Sequence, residues 1–450
     1  MDLKRPIGPS RELNPKHATF PRRVLTSAEF SQLTAIPLLC AFQPERPLVN
    51  WRQWLGLTPT VADLARELLR AAQRSGVTGW SYDAADTSLR NADHGVINLA
   101  NIHREYAQAR YLARPGLLQK YHAMLTPSDQ SKVPRLRTLA QTRIFPILRS
   151  RNDRVTLEIQ HRDAKDPFPP KAAKTFLSHL EVVNGYDRGQ TVSQVKASAA
   201  PERGLSLELA IERARANLRA LPAPTWQLVG DAVWQLQSDE GYNESFLQLP
   251  KVFENLPAKG SALAMIPNRG VLLATGSDEP AGITALLAAA RKSIEEAPWP
   301  LCGDLFRITP AGPELYVPIG DEAIHLATIQ RLDIASVYEA QKTVLQKHCE
   351  ALGDPVYVAT YGIISKTSSP DDSHSWCSWA ERVESLLPAT DLIAFGWQFE
   401  DSRKTLMVRW TDAGQMVGHY FKPTIEDPPR FRVDEFPTPE ERDALQRVAV

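Results

Sequence analysis

The sequence predicts an α+β fold with mixed, mostly antiparallel sheets and flanking helices, arranged in two or three domains. Its length of 450 residues is more than one typical domain holds. Hydrophobic residues make up 43% of the chain and charged residues 23%, the proportions of an ordinary globular protein. Helical and hairpin-like segments alternate without the long spacing that the βαβ units of a parallel sheet require.

Changes in composition divide the chain into four segments. Residues 1–59 carry several prolines and are predicted to be an N-terminal extension. Residues 60–318 are predicted to be the main α+β region, with a sub-boundary near 127–142. Residues 319–421 are predicted to be a C-terminal domain with the element order αβαβββ, and residues 422–450 to be an extended tail ending in one helix.

The main region begins with the predicted helix TVADLARELLRAAQRSG. Thr60 is the expected N-cap, Asp63 completes a capping box, and Gly76 ends the helix. The strands predicted after it are RIFPILRS at 143–150, VTLEIQ at 155–160 and FLSHLEVVNGYD at 176–187. Next come a helix at 205–221, the hairpin ALAMIPNRGVLLATG, the helix AGITALLAAARKSIEEA and the strand pair DLFRIT and ELYVPI.

In the C-terminal region, an amphipathic pattern predicts a helix at 336–352, followed by the strand PVYVATYGII. The segment SWCSWAERVESLLP is predicted to be a helix with Ser373 as its N-cap. Three strands are predicted to complete the unit: DLIAFGWQF, KTLMVRW and GQMVGHYF.

Composition also bounds the location of the protein. The four cysteines, Cys40, Cys302, Cys349 and Cys377, lie far apart and form no C-x-x-C pair, so we expect reduced thiols and a cytoplasmic protein. The first residues lack the apolar segment of a secretory signal. Apolar stretches are shorter than the roughly 20 residues of a membrane helix, so no membrane association is expected.

Motifs that would carry chemistry are missing from the sequence. There is no phosphate-binding G-x-x-x-x-G-K-[ST], no G-x-G-x-x-G, no G-x-S-x-G elbow and no H-E-x-x-H. His348-Cys349 and His374-x-x-Cys377 resemble zinc ligands only loosely, because adjacent helical side chains diverge. We therefore assign no catalytic residue, cofactor or metal, and enzymatic activity is left open but not favoured.

Basic residues are concentrated between positions 132 and 162, where only Asp153 and Glu158 oppose them. Arginine suits bidentate contact with carboxylates and phosphates, so one hypothesis is a site for an anion or an acidic partner. The alternative is a face whose arginines have partners within the chain. The candidate binding residues are Arg143, Arg149, Arg151 and Arg154.

Aromatic residues are dense between positions 376 and 410. Strand alternation would put Phe395, Trp397 and Phe399 on one face. Trp376 and Trp379 would share a face of the predicted helix. A compact aromatic core is the favoured interpretation, and a partner-docking patch that includes Trp376, Trp379 and Trp397 is the alternative.

Several segments follow one another in a characteristic order between residues 60 and 318: GWSYDAADTSLR, IFPILRS, ELAIERARANLRAL, GYNESFLQLPKVFENLPAKG and ALAMIPNRGVLLATG. In order and spacing they resemble the YtpQ-type family of uncharacterised bacterial proteins. The resemblance implies a cytoplasmic bacterial protein with an α+β fold, and it implies no catalytic residue, cofactor or substrate. The regions before and after these segments depart from the family and suggest a specialised member with its own partner.

The leading functional hypothesis is a non-enzymatic, cytoplasmic protein-interaction factor, such as an adaptor, a chaperone-like factor or an immunity-type protein, with a protein partner. One alternative is a hydrolase-like enzyme whose site is assembled from scattered residues. Another is a nucleic-acid-associated factor that uses residues 132–162. The equal numbers of basic and acidic residues, 52 each, do not favour nucleic acid.

Overall fold

The computed structural model describes residues 59–84, 87–91, 95–125, 144–160, 162, 173–187, 192–194, 206–239, 241–354, 356–366 and 369–450. Residues 1–58 of the predicted extension and the predicted sub-boundary near 127–142 lie outside them. Within the described residues the chain is α+β and its sheets are mostly antiparallel, as the sequence predicts. No helix in these ranges has the length and apolar composition needed to cross a bilayer.

The helices are α1 (Val61–Arg74), α2 (Ala100–Gln108), α3 (Arg114–Leu125), α4 (Arg151–Gln160), α5 (Leu207–Arg219), α6 (Pro280–Glu296), α7 (Asp321–Ala351), α8 (Trp410–Val417) and α9 (Pro439–Gln446). Short 3-10 helices occur at Tyr111–Ala113, Asn243–Gln248, Pro250–Asn255 and Gly418–Tyr420. The strands are β1 (Ser81–Asp83), β2 (Ser88–Asn91), β3 (Gly95–Asn98), β4 (Ile144–Ser150), β5 (Ala173–Thr175), β6 (Leu180–Asp187), β7 (Val192–Gln194), β8 (Thr225–Gly230), β9 (Val233–Gln237), β10 (Ala262–Met265), β11 (Leu273–Gly276), β12 (Phe306–Thr309), β13 (Gly312–Leu315), β14 (Tyr357–Val358), β15 (Gly362–Lys366), β16 (Ser369–Ala380), β17 (Ser385–Pro388), β18 (Leu392–Phe399), β19 (Ser402–Arg409), β20 (Lys422–Pro423) and β21 (Arg430–Val433).

Among the described strands, the largest sheet has six members in the order β13-β12-β10-β11-β9-β8, all antiparallel. The predicted β10–β11 hairpin lies at its centre, and Gly270 in the turn adopts a φ of +75°, which favours glycine. One face of the sheet packs on α6 and α7 through Leu286 and Ile329. The other face packs on α5 and on the sheet of β4 to β7 through residues such as Phe145 and Phe246. The central strands are therefore buried on both faces.

The region before residue 126 packs three helices, α1 to α3, on the small β1-β2-β3 sheet. The capping box predicted for α1 is confirmed. The backbone N–H of Asp63 donates to Thr60 Oγ1 at 3.1 Å, and the N–H of Thr60 donates to Asp63 Oδ2 at 2.8 Å.

The C-terminal region holds two four-stranded sheets among its described strands, β15-β16-β18-β19 and β14-β17-β21-β20. Two pairings in them, β14 with β17 and β16 with β18, are parallel. A shared core contains Trp379, Phe395, Leu387 and Val433, and α8 and α9 pack against it through Val417 and Leu445, respectively.

The prediction of a strand at 155–160 is wrong, because these residues belong to α4. Apolar and polar residues alternate in VTLEIQ, and this alternation is typical of a strand. The buried members of the helix are instead Asn152 and Ile159, two helical turns apart. Ile159 packs against Leu345 and Cys349 of α7, so a tertiary contact selects the helix.

Three expectations for the C-terminal region are also corrected. The predicted helix SWCSWAERVESLLP forms strands β16 and β17, and Ser373 lies inside β16 rather than at a helix N-cap. The predicted strand GQMVGHYF lies in α8 and the 3-10 turn after it. In the predicted tail at 422–450 the terminal helix is confirmed as α9, but the rest is not an extended arm, because it forms β20 and β21 and β21 pairs with β17. The order αβαβββ is therefore not observed.

Candidate functional site

The described arginines of the basic segment all face carboxylates of the same chain. Arg149 Nη1 lies 3.3 Å from Glu244 Oε1. Burial, together with the positive charge of Arg269, lowers the pKa of Arg149 to about 10 against the opposing effect of Glu244. Arg154 Nε lies 3.0 Å from Glu181 Oε2, whose side chain is also buried.

The remaining two described arginines of this segment tie α4 and its end to the loop before β21. Arg151 Nε lies 2.7 Å from Asp427 Oδ2, and Arg162 Nη2 lies 3.2 Å from Glu426 Oε1. Arg143 lies outside the described residues. The described arginines therefore have intramolecular anionic partners, and they do not form an unpaired basic face.

The three candidate tryptophans occupy different environments. Trp379 is fully buried, with its ring centroid 5.2 Å from that of Phe395. Trp397 is half-buried, and the Arg442 guanidinium lies 5.4 Å from the centroid of its ring. Trp376 pairs across strands with Gly362. The shared helix face predicted for Trp376 and Trp379 is wrong, because residues three apart in a strand point to opposite faces.

The two His/Cys pairs noted in the sequence do not converge. Cys349 belongs to the apolar cluster between α4 and α7, whereas Cys377 belongs to the core behind β16. His374 is exposed on β16. Their separation into two cores agrees with a packing role for both thiols.

A row of exposed apolar side chains follows the edge strand β13. Leu315 is 54% exposed, Val317 68% and Ile319 91%, and Ile324 on the first turns of α7 is 42% exposed. The residues between them face inward: Tyr316 packs against the apolar cluster under α6, and Pro318 is buried. Alternate side chains along this segment therefore point to solvent.

A second feature is a buried polar cluster formed by His179, Cys302, Asp304 and Asp333. His179, Cys302 and Asp304 each offer one atom that could bind a metal, and these three atoms lie within 4.8 Å of one another. Cys302 Sγ is 3.5 Å from Asp304 Oδ2, and His179 Nε2 is 3.6 Å from Asp333 Oδ2. Cys302 is fully buried, and Asp304 and Asp333 are nearly so.

Three parts of the fold bring this cluster together. His179 lies in the turn before β6, next to Ser178, whose φ is +52°. Cys302 and Asp304 lie between α6 and β12, and Asp333 lies on α7. Gly303 permits the close approach, because a Cβ there would lie 3.2 Å from the Cβ of Asp333.

Hydrogen bonds from the backbone and from neutral groups support the carboxylates. The N–H of Gly303 donates to Asp333 Oδ2 at 2.9 Å, and Gln330 Nε2 donates to Asp304 Oδ1 at 2.7 Å. Within the described residues, no Lys or Arg side chain forms an ion pair or hydrogen bond with Asp304 or Asp333. The two buried carboxylates therefore lack a permanent cationic partner there.

The electrostatics of the cluster favour the neutral forms of Asp333 and Cys302. Burial raises the pKa of Asp333, with Asp304 adding to the effect and His179 opposing it. Burial also raises the pKa of the Cys302 thiol well above its ordinary value, and Asp304 and Asp333 raise it further. A thiol nucleophile needs a lowered pKa and access to substrate. Cys302 has neither feature, so its position does not favour nucleophilic catalysis.

Sequence reasoning missed both features for a physical reason. The cluster joins His179 to residues that are more than 100 positions further along the chain, and the only local signal is the short Cys302-Gly303-Asp304 run. The exposed row was included in the predicted strand ELYVPI, but strand propensity alone does not say which face is covered.

Comparisons of the chain with protein-family models, with curated proteins and with solved structures found no significant match. The resemblance to the YtpQ-type family stays a prediction. The site must therefore be interpreted from its own chemistry.

Proposed function

We propose that the protein is a non-enzymatic interaction factor that binds an extended segment of a partner protein along the edge of β13. The observation that carries the proposal is the exposed apolar row Leu315, Val317 and Ile319. Single exposed apolar residues are common, whereas a row that begins on a sheet edge at Leu315 and continues along the segment after it is a typical recognition surface.

The backbone at this edge favours an added strand. Tyr316 N–H donates to Leu305 O at 2.9 Å, which directs the polar groups of Tyr316 toward β12. In an antiparallel ladder, the neighbouring residues then direct their N–H and C=O groups away from the partner strand. Leu315 and Val317 therefore offer outward-facing backbone groups beside their apolar side chains, and this combination suits β-augmentation.

The charges beside the row indicate the chemistry of the partner. Glu314 and Asp321 are exposed at its two ends. Arg307, the nearby cation, lies over the Tyr316 ring at 4.1 Å from its centroid. An acidic rim favours a partner segment with apolar residues at alternating positions and with Lys or Arg beside them.

The alternatives are less well supported. The described arginines near α4 are paired with carboxylates, which does not favour a nucleic-acid surface. The hydrolase-like alternative lacks an accessible nucleophile at the buried cluster. We further infer a cytoplasmic location and membership of the YtpQ-type bacterial family. The free thiols of Cys302, Cys349 and Cys377 are compatible with a reducing compartment.

The test is selection of binding peptides from a random peptide library with the purified full chain. We expect selected sequences with alternating apolar residues flanked by Lys or Arg. Val317→Lys should weaken binding of a selected peptide about tenfold or more, because burial of a valine side chain is worth about 1.5 kcal/mol and the new charge repels a basic peptide. Affinity is measured by fluorescence anisotropy with a labelled peptide.

The matched control is Leu228→Lys. Leu228 lies on β8 at the opposite edge of the same sheet and is 55% exposed. This variant should bind the peptide as the wild type does. A library that yields no binding peptide, or a peptide that binds the Val317→Lys variant with unchanged affinity, would contradict the proposal.

A further inference from the structure

The buried cluster around Cys302 has the donor chemistry of a transition-metal site. One imidazole nitrogen, one sulfur and the carboxylate of Asp304 converge there, and these are ligand types that zinc accepts. A second carboxylate, that of Asp333, lies beside His179. With metal–ligand bonds of about 2.0–2.3 Å, donors that share a tetrahedral ion lie about 3.3–3.8 Å apart. The Sγ–Oδ2 distance of 3.5 Å between Cys302 and Asp304 falls in that range. So does the 3.6 Å between His179 Nε2 and Asp333 Oδ2.

The buried charges of the cluster also favour a bound cation. Burying a carboxylate is costly unless a cation or several hydrogen bonds compensate it. Asp304 and Asp333 are 8% and 9% exposed, and their hydrogen-bond partners among the described residues are uncharged apart from His179. A divalent cation bound here would balance the negative charges of the Asp304 carboxylate and of the thiolate that Cys302 forms on binding.

Neighbouring groups orient the side chains that would bind the metal. Gln330 donates a hydrogen bond to Asp304 Oδ1, so the other carboxylate oxygen, Oδ2, faces Cys302. Ser178 Oγ lies 3.3 Å from His179 Nδ1 and can accept its proton, which would leave Nε2 free to bind. Nε2 also lies 3.2 Å from the carbonyl oxygen of Leu301, so metal binding replaces that contact.

We propose that His179, Cys302 and Asp304 bind one divalent transition-metal ion of the zinc class, with Asp333 beside His179 as the candidate fourth ligand. The ion bonds to an imidazole nitrogen of His179, to Cys302 Sγ and to one carboxylate oxygen of Asp304. As the metal–sulfur bond forms, the Cys302 thiol releases its proton to solvent, and so does Asp333 where it is protonated. This site goes beyond the proposed interaction function and does not depend on it.

The ion would join three parts of the fold. His179 precedes β6, Cys302 and Asp304 precede β12, and Asp333 lies on α7. All four donors are at least half-buried, and the cysteine is fully buried. Because Cys302, Asp304 and Asp333 are nearly or fully buried, the position favours a closed structural site rather than one with an open position for substrate.

The test uses the full chain, stripped with a chelator and titrated with Co²⁺, which takes the place of Zn²⁺ and is coloured. We expect one equivalent of cobalt per chain, visible d–d bands typical of tetrahedral coordination and a sulfur-to-cobalt charge-transfer band. Added Zn²⁺ should displace the cobalt and remove all these bands. Proton release, followed with a pH indicator, should accompany binding.

Variants identify the ligands. Cys302→Ser should abolish the charge-transfer band, whereas Cys349→Ser, at another buried cysteine, should retain it. Gln330→Ala leaves the ligands in place but removes the hydrogen bond that supports Asp304, so it should weaken metal binding about 10- to 100-fold. Circular dichroism of each variant establishes that it is folded.

Two results would overturn the proposal. One is wild-type protein that takes up no stoichiometric cobalt or zinc. The other is a charge-transfer band that persists in folded Cys302→Ser protein, because the thiolate ligand would then be a different cysteine. Peptide binding at β13 is measured separately, so failure of either proposal can be distinguished from failure of the other.

Discussion

At the scale of single residues, Asp391 joins α7 to the C-terminal sheets. Its Oδ2 accepts hydrogen bonds from Arg331 Nε, Ser375 N–H and Ser375 Oγ, each at 2.7 Å. Burial raises the pKa of Asp391, but the hydrogen bonds from Arg331 and Ser375 outweigh it, and the pKa falls below its ordinary value of 3.8. The ionised carboxylate is therefore the form that stabilises the fold.

The first prediction concerns the pH dependence of this contact. Because the folded-state pKa of Asp391 is lowered, its contribution is complete above the unfolded-state pKa and is lost as the pH falls through the folded-state pKa. Asp391→Asn should reduce the free energy of unfolding by about 1–2 kcal/mol at pH 7 and by less at pH 3. Urea denaturation at the two pH values measures both differences.

The control is Asp443→Asn, since Asp443 is exposed on α9. This variant should differ little from the wild type at either pH. An equal loss of stability for Asp391→Asn at pH 7 and pH 3 would show that the charge of the carboxylate is not what matters.

Such residue contacts could not be predicted from the sequence. Asp391, Arg331 and Ser375 come from three separate segments, and the expected helix at 375–388 would have directed Ser375 elsewhere. The same limit applies to His179 and Cys302, which meet only because the turn before β6 packs beside the loop before β12. By contrast, the capping box at Thr60 and Asp63 was predictable, because all its atoms lie within one helical turn.

At the scale of elements, β16 explains why the C-terminal prediction was wrong. Its burial alternates strictly from Ser373 to Trp379, as expected for a strand between two layers. Three of the buried positions are small, Ser373, Ser375 and Cys377, so the hydrophobic period of two is hidden in the sequence. Trp376 and Trp379 are three positions apart and so mimic a helical face.

The second prediction concerns the pairing of β15 with β16. Gly362 lies opposite Trp376, and a Cβ at Gly362 would lie 2.4 Å from Trp376 Nε1. Gly362→Ala should therefore reduce the free energy of unfolding by about 1–3 kcal/mol, because the indole must move from its place on the neighbouring strand. In the Trp376→Ala background the same substitution should cost much less, and a double-mutant cycle measures the difference.

Gly396→Ala is the matched control for this cycle. Gly396 is also inside a strand, β18, but a Cβ there would meet nothing within 4 Å. Its substitution should not lower stability in either background. If Gly362→Ala lowers the free energy of unfolding by the same amount with and without Trp376, the destabilisation comes from the backbone and not from contact with the indole.

At the scale of the whole molecule, α7 connects the parts that the sequence divides at residue 318. Leu326 and Ile329 of α7 belong to the apolar cluster of the six-stranded sheet. Further along the same helix, Leu345 and Cys349 pack against Ile159 of α4 and against β14 and β17. The 31 residues of α7 thus take part in two cores. The predicted boundary implies that residues 60–318 and 319–421 fold independently of each other. This stays a prediction, and the packing of α7 on both regions argues against it.

Sequence composition could suggest this boundary, but it could not predict how strongly the regions on its two sides associate. Pro318 and Gly320 lie just before a long helix, and proline and glycine are typical of a linker. The contacts between the regions before and after residue 318 come from residues that are distant in sequence. They include the ion pairs Arg151–Asp427 and Arg162–Glu426. Pairs of this kind are worth little each. The apolar clusters carry most of the association, at roughly 25 cal/mol for each Å² buried.

The third prediction tests whether the two sides can separate. A protease recognition sequence inserted between Ile319 and Gly320 should be tolerated and cleaved, because Ile319 is 91% exposed and Gly320 is also exposed. After cleavage, the two fragments should elute together in gel filtration and separate only in denaturant, because Leu326, Ile329 and Leu345 would otherwise be exposed to water. The same recognition sequence appended after Val450 controls for the protease and should leave the elution volume of the main chain unchanged. Two fragments that elute apart, each with a cooperative unfolding transition, would establish independent domains at residue 318 and would limit the role of α7 to a contact between them.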